Sequence, residues 1–343
     1  MDLIRVGSRV IGEGQPVFII AELGYNFNTL GEALGSVDAA AKCGVDAIKV
    51  QTFRAETLTV PGIDFPKEAG GSSQWDEFKR YEIDEETHRR IFARAREQGL
   101  VPFSTPSHPD DVELLERVGV DLYKIGSDDL TTLPFLSYVA AKGKPLILSS
   151  GMGTLAEVDE AVRAVQAAGN RQIILLQCTS NYPVRDPSLL NLRVIDTYRR
   201  IFPVLVGFSD HSTTLSAAVA AVTLGAVVVE RHFTLDKALP VPDSFFSADP
   251  TEMAALVHAI RETSLALGSG HKAPAPTESL MRVDTRKGLV ARRRIGKGQT
   301  IGPEDVTIMR PGTGILPRDR DVVIGRTARR DIDANEVITW EMV

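Results

Sequence analysis

The chain has 343 residues and a mass of 37.3 kDa, too long for one small domain and short for three. Its 43% hydrophobic and 24% charged residues are those of a globular protein with a sizeable core, which excludes a disordered, collagen-like or disulfide-stapled chain. The net charge of −6 is unevenly spread: the 59 residues from Thr285 carry +4 and the 284 before them −10. An acidic body with a basic tail is thus the first sign of two domains, and the basic bias is too weak for a nucleic-acid binder. Cys43 and Cys178 both lie in apolar runs and are expected as buried thiols. The start, MDLIRVGSRVIGEG, lacks the apolar core of a signal peptide. The most apolar run, Ala217 to Val229, is 13 residues, short of the roughly 20 that cross a bilayer. It reads as a helix end entering a buried strand. No membrane partner is expected, and the cytoplasm is the default location.

From the N-terminus onward one local pattern repeats. Eight short apolar runs end in polar residues: 17–23, 46–52, 101–105, 122–127, 145–151, 172–180, 204–211 and 226–232. Between them lie stretches with apolar residues three and four apart, such as LGEALGSVDAAAKCG, DDVELLERVG, TLAEVDEAVRAVQAAG and TEMAALVHAIRETSLALG. Each closes on a glycine, which accepts the left-handed conformation that follows a helix. Apolar strands alternating with helices imply a parallel sheet covered by helices. Eight units in about 270 residues predict a closed (β/α)8 TIM barrel over 1–270, with an open doubly wound sheet as the alternative. The second connection, Phe53 to Asp84, is long and rich in Gly and Ser around FPKEAGGSSQW. At the C-terminal end of a strand it is expected to act as a substrate lid.

Residues 271–284 contain KAPAPTES, a Pro-rich linker. The tail, 285–343, has short segments and turns (IGKGQTIG, RPGTGILPRD) and no long helix. Val290–Val306 aligns without gaps on Thr327–Val343, with seven of 17 positions identical. Two such copies predict one small pseudo-symmetric β-rich domain.

In a barrel enzyme the catalytic groups sit at the C-terminal ends of the strands. Polar residues gather there: Glu22, Lys49, Gln51, Ser104, Thr105, Lys124, Ser127, Ser149, Ser150, Thr179, Asn181, Tyr182, Ser209, Asp210, His211, Glu230 and His232. Lys49 and Lys124 lie inside apolar runs, and a buried ammonium needs an anion. Flanked by Ser and Thr, they predict a pocket for a phosphate or carboxylate; the plainer alternative is salt bridges to Glu22 or Asp128. His88 and His258 fall on helix-like segments and are expected at the surface. His211 and His232 end the seventh and eighth runs, neighbours in a barrel, and can share a divalent cation whose other positions go to water and substrate, or else serve as hydrogen-bonded scaffold. Neither a G-x-S-x-G nor a Walker-type motif is present.

Taken in order, AELGYN (21–26), IKVQTF (48–53), FSTPSHPDD (103–111), YKIGSDDL (123–130), LSSGM (148–152), CTSNYP (178–183), GFSDH (207–211), VERHFTLD (229–236) and RPGTGI (310–315) resemble the N-acetylneuraminate (sialic acid) synthase family. The tail resembles the antifreeze-like (SAF) domain that ends those enzymes. The resemblance implies that phosphoenolpyruvate condenses with the open-chain aldehyde of an N-acetylated hexosamine, in the first place N-acetylmannosamine, and that phosphate leaves. It implies a divalent ion, manganese foremost with magnesium or cobalt as alternatives, on His211 and His232. By motif match, Lys49, Thr105, Lys124, Ser127, Ser149, Asn181 and Ser209 hold phosphoenolpyruvate. Gln51, Tyr182 and Asp243 face the sugar or metal-bound water, as does Glu22, which counts with Asp129 among the catalytic groups. A domain-swapped homodimer follows from the resemblance, with Arg310 reaching the partner's sugar.

Several positions depart from the family pattern. Phe27-Asn28-Thr29 replaces a His-Asn-Gly, Asp243-Ser244 an Asp-His, and Asp129 stands where some members carry glutamate. These leave the phosphoenolpyruvate chemistry intact and open the sugar to a diamino-trideoxy hexose, as in a legionaminic or, ranked below it, pseudaminic acid synthase. A 3-deoxy-sugar-phosphate synthase would share barrel and chemistry but would need a basic pocket for a sugar phosphate. A non-catalytic ice- or carbohydrate-binding protein would need neither buried lysines nor paired histidines.

Overall fold

The computed structural model describes residues 3–65 and 71–343, and divides into two compact units, Met1–Gly268 and Ser269–Val343. The expected lid lies partly outside the described residues, since 66–70 of FPKEAGGSSQW are not among them.

The first unit opens with a hairpin of β1 (Ile4–Val6) and β2 (Arg9–Ile11). Eight parallel strands follow: β3 (Phe18–Glu22), β4 (Ala47–Thr52), β5 (Val101–Pro106), β6 (Tyr123–Ile125), β7 (Leu146–Ser149), β8 (Ile173–Cys178), β9 (Leu205–Asp210) and β10 (Val228–His232). Each predicted apolar run holds one, with β5 extending one residue past its run, to Pro106. Neighbours pair in sequence order and β10 returns to β3, His232 opposite Glu22, so the sheet closes and the doubly wound alternative is excluded.

Alternation along the strands sorts the side chains into two layers. Ile19, Ile48, Tyr123, Leu148, Leu175, Phe208 and Val229 point outward into the core shared with the helices. Phe18, Ile20, Ala47, Phe103, Leu122, Ile147, Leu176 and Val228 fill the barrel's interior. Ile4, Val6 and Ile11 of the hairpin join that inner cluster and close the barrel's N-terminal end with apolar surface. The interior therefore turns polar only toward the C-terminal ends of the strands, where the inward positions are Glu22, Lys49, Thr105, Lys124, Ser149, Ser209 and Glu230.

The helices start and stop as their sequences dictate. Thr29 and Glu32 form a capping box at the start of helix Leu30–Cys43, as do Thr154 with Glu157 and Asp249 with Glu252 at helices Leu155–Ala167 and Pro250–Leu267. Gly44 ends the first of these with φ 83°, a left-handed conformation that costs other residues more. Both cysteines are buried thiols. No described helix is long and apolar enough to cross a membrane.

His88 corrects its sequence reading: it is fully buried, not at the surface. Helix Glu85–Glu97 turns His88, Ile91, Phe92 and Ala95 inward. The Nδ1–H of His88 donates to the Asp84 carbonyl (2.8 Å), so Nε2 accepts from the Thr52 hydroxyl (2.8 Å), which Ser104 approaches at 2.6 Å. Burial pulls this imidazole down to about 4 from an ordinary 6.5. The folded protein thus prefers neutral His88, and stability present above pH 6.5 is lost as pH falls toward 4, by up to about 3 kcal/mol. His88→Gln should show a shallower loss of urea stability across that window; equal slopes for variant and wild type would refute the assignment.

The second unit holds a two-stranded antiparallel sheet of β11 (Gly288–Ala291) and β12 (Val306–Met309); its remaining pairings are isolated bridges. The repeat is visible in it. Ile295 aligns with Ile332 in sequence and bridges to it in space, and Thr300↔Thr327 and Val290↔Val337 extend the same antiparallel register. Gly298 and Asn335, equivalent by the alignment, both have positive φ (83° and 67°). In each copy the third residue after the turn's first closes it: Gln299 Oε1 accepts from Gly296 N–H (3.0 Å), and Glu336 Oε2 from Asp333 N–H (2.9 Å). Ile295, Ile301, Ile332 and Ile338 supply the shared core.

Candidate active site

Strand register assembles the site. Glu22 pairs with Lys49 across β3 and β4, and Ser209 with Glu230 across β9 and β10. Each couple points inward and bonds directly. Lys49 Nζ forms an ion pair with Glu22 Oε2, donates to Thr105 Oγ1 (3.0 Å) and lies 3.8 Å from Glu230 Oε2. Ser209 donates to Glu230 Oε1 (2.8 Å), and Lys124 Nζ stands 3.5 Å from that same oxygen. Gln51 reaches Glu22 Oε1 at 3.4 Å. All four ionised groups are nearly inaccessible, none above 4%. The lysines are therefore salt-bridged, as the plainer sequence alternative had it. Glu230, placed at a strand end by the sequence but given no role there, replaces Asp128 as the second partner.

The charges hold one another ionised. Burial drives the Glu230 carboxyl up, but Lys124, Lys49 and the Ser209 hydrogen bond outweigh it and bring it down to about 2. Burial drives Lys49 down, and Glu22 and Glu230 more than reverse that. The result is a neutral set of two ammonium and two carboxylate groups under the barrel mouth.

Hydroxyls border this set. Ser127, after β6, accepts from the Gly151 N–H (3.0 Å). Ser149 Oγ and Ser180 Oγ are buried with no hydrogen-bond partner among the described residues. Such donors are costly unless something fills them. Asn181 is exposed on the rim after β8.

Above the set lie the imidazoles. His211 and His232 ring centres are 5.4 Å apart, and the Tyr182 ring lies against both, at 4.3 and 5.9 Å. The Nδ1–H of His211 donates to the Thr179 carbonyl (2.9 Å), which leaves Nε2 as the nitrogen available to a ligand. His232 Nδ1 is buried without a hydrogen bond, 3.4 Å from Asp243 Oδ2. Behind them, on the outward face, Arg231 pairs across the strands with Asp210 (2.7 Å), whose other oxygen accepts from Ser212 N–H (2.8 Å). This buried ion pair ties together the two strand ends that carry the imidazoles. Among the described residues no cluster of three or more His, Cys, Asp or Glu is arranged to hold a metal. Two imidazoles with free or orphaned nitrogens fit an ion that takes its remaining ligands from water and substrate.

Asp129 stands apart from the lysines. Burial and the neighbouring Asp128 push its carboxyl up to about 6, partly opposed by Thr132. Arg310 is exposed, directly after β12 in the second unit. The other predicted site residues meet at the barrel mouth. Sequence reasoning gave Glu230 no role and passed over Tyr25, Cys178 and Ser180. For Glu230 a signal existed, since strict alternation in AVVVERH puts it on the face of His232.

Comparison with known proteins adds to this geometry. The model described as the NeuB family matches residues 36–272, and that of the SAF domain residues 286–343. An uncharacterized protein of Methanocaldococcus jannaschii is 40% identical over 99% of this chain and 98% of its own. An N,N'-diacetyllegionaminic acid synthase of Legionella pneumophila is 38% identical over 98% and 97%. The crystal structure of an N-acetylneuraminic acid synthetase from Leptospira borgpetersenii superposes with a TM-score of 0.74 at 31% identity, covering 82% of this chain and 95% of that one.

Proposed function

The chain belongs to the NeuB family, and on that premise we propose that it joins phosphoenolpyruvate to the open-chain form of an N-acylated amino sugar, giving a nonulosonic acid and phosphate. It is thereby an enzyme of the phosphoenolpyruvate-condensing transferase type. The observation that carries the reading is the buried Lys49–Glu22 and Lys124–Glu230 set beneath two imidazoles.

Lys49 and Lys124 meet the substrate's phosphate and carboxylate, with Thr105, Ser127, Ser149, Asn181 and Ser209 as hydroxyl and amide donors. Glu22 and Glu230 outweigh the burial of Lys49 and favour its ammonium form, and the unpartnered Ser149 Oγ gains an acceptor. A divalent ion on His211 and His232 would supply Lewis-acid polarisation of the aldehyde oxygen. Tyr182 and Asp243 orient the sugar chain beside them, and Gln51 and Glu22 bound its lower side. Asp129, poised near pH 6, is matched to hold and release a proton close to neutrality. The new C–C bond joins the methylene carbon of phosphoenolpyruvate to the aldehyde carbon; water then adds at C2 and phosphate departs by C–O cleavage.

For the sugar, the expectation of N-acetylmannosamine gives way to a diacetamido-trideoxyhexose and a legionaminic-type product. What supports it is the full-length relative so named, 38% identical over 98% of this chain. The same reading includes a cytoplasmic homodimer in which Arg310 of a second copy approaches the sugar. The test is phosphate release from phosphoenolpyruvate with Mn²⁺ and a panel of N-acyl hexosamines, with product masses read out. Release is expected with the diacetamido-trideoxy sugar; no release with any amino sugar would sink the proposal.

A further inference from the structure

The barrel mouth carries a group of side chains that the chemistry above does not use. Gly24 follows Glu22 by two residues, and a Cβ there would lie 3.5 Å from His232 Nδ1, 3.3 Å from Glu22 Oε1 and 2.9 Å from Asp243 Oδ2. The next residue, Tyr25, begins an aromatic wall. Its ring centre is 5.8 Å from Phe53, 6.5 Å from Phe78 and 5.5 Å from Tyr81. Phe78 packs edge-on against Phe53 at 5.5 Å. Phe78 and Tyr81 lie on helix Gln74–Tyr81, none of whose residues is fully buried, so both rings keep an open face.

Carboxylates surround the Tyr25 end of the wall, and a guanidinium stands at the Tyr81 end. Burial raises the Tyr25 phenol well above its ordinary value, and Asp243, Asp128, Glu22 and Glu77 add to that. Burial also raises Tyr81; Arg80 opposes, and Glu77 and Asp243 add to the rise. Arg54 is paired with Glu82, whereas Arg80, which lies over the Tyr81 ring, reaches only the neutral Asn28 amide among the described residues and keeps its charge. The apolar rings favour an uncharged, carbon-rich group, and the carboxylates about Tyr25 oppose an anion at that end. With the sugar's aldehyde end at His211 and His232, its far end is the part that meets Tyr25, Phe78 and Tyr81.

Resting on the synthase reading, we propose that the Tyr25–Phe53–Phe78–Tyr81 wall sets specificity at C6 of the sugar: it accepts a 6-methyl group, disfavours a 6-hydroxymethyl group and rejects a 6-phosphate. The test compares kcat/KM for the diacetamido-trideoxyhexose, its 6-hydroxy counterpart and the 6-phosphate of that counterpart. The wild-type enzyme should favour the 6-deoxy sugar about 10-fold, the scale of one methyl group in an apolar pocket, and should turn over the phosphate ester least. Phe78→Ser should bring the 6-deoxy preference close to unity, whereas Phe78→Leu, which keeps apolar bulk, should retain it. Tyr81→Ser, with Tm measured for each variant, provides a second reading if Phe78→Ser folds poorly. Equal kcat/KM for the two neutral sugars in the wild type, or a preference that survives both serine variants, overturns the wall while leaving the synthase intact. Turnover best with the 6-phosphate also overturns it. Failure of every sugar to release phosphate defeats the synthase reading and the wall together.

Discussion

Lys124→Ala should lower kcat/KM for phosphoenolpyruvate by roughly a thousandfold or more, the upper range for losing one preorganised donor. Lys124 does two things at once. Its Nζ lies 3.5 Å from Glu230 Oε1 and is among the charges that hold that carboxyl near 2. It is also one of the two inward ammonium groups of the site. Removing it leaves Glu230 buried with Lys49 at 3.8 Å and Ser209, and an uncompensated buried charge costs about 3–5 kcal/mol. Tm should therefore fall together with activity, and Lys124→Ala/Glu230→Gln should recover much of the Tm but little of the activity. A variant that keeps wild-type KM and kcat for phosphoenolpyruvate would remove Lys124 from the site. The same variant probes subunit sharing. Mixed with an Arg310→Ala chain it should regain partial activity, because one of the two sites then has both residues. No recovery, with mixed dimers shown to form, counts against the swap.

The sequence singled out Lys124 and put Glu230 at a strand end, but it did not pair them. An ammonium inside LYKIGS announces itself, since nothing apolar can satisfy it. Which carboxylate answers depends on how β10 is staggered against β9 and β3, and that register is a property of the closed sheet. The eight strands were legible because each is a short apolar run bounded by turn residues, and alternation then fixed the inward face. His88 was misread for the opposite reason. HRRIFARARE is so dense in arginine that its charge masks an inward stripe at 88, 91, 92 and 95, whose spacing is that of a helix face. The aromatic wall was out of reach: Tyr25, Phe53 and Phe78 are far apart in the chain, and only the barrel brings their loops together. The tail shows the converse, where an internal repeat with seven of 17 identities was enough to anticipate paired copies.

His211→Ala should weaken Mn²⁺ binding at least a hundredfold, measured by electron paramagnetic resonance of the free ion on protein first stripped with a chelator. The argument rests on hydrogen bonds. Thr179's carbonyl takes the Nδ1 proton of His211, so Nε2 is the nitrogen left to serve as a ligand. His232 offers a second imidazole 5.4 Å away, centre to centre. With two firm protein donors, losing either halves the set, and His232→Ala should match His211→Ala. Asp243→Asn, 3.4 Å from His232 Nδ1, should cost less, about 10–100-fold, because an outer carboxylate orients a ligand without replacing it. Phosphoenolpyruvate affinity should change little in the histidine variants, since Lys49 and Lys124 keep their partners. That separates loss of the ion from collapse of the site. If His211→Ala binds Mn²⁺ as tightly as the wild type, the imidazole pair is scaffold and the aldehyde must be polarised by other groups.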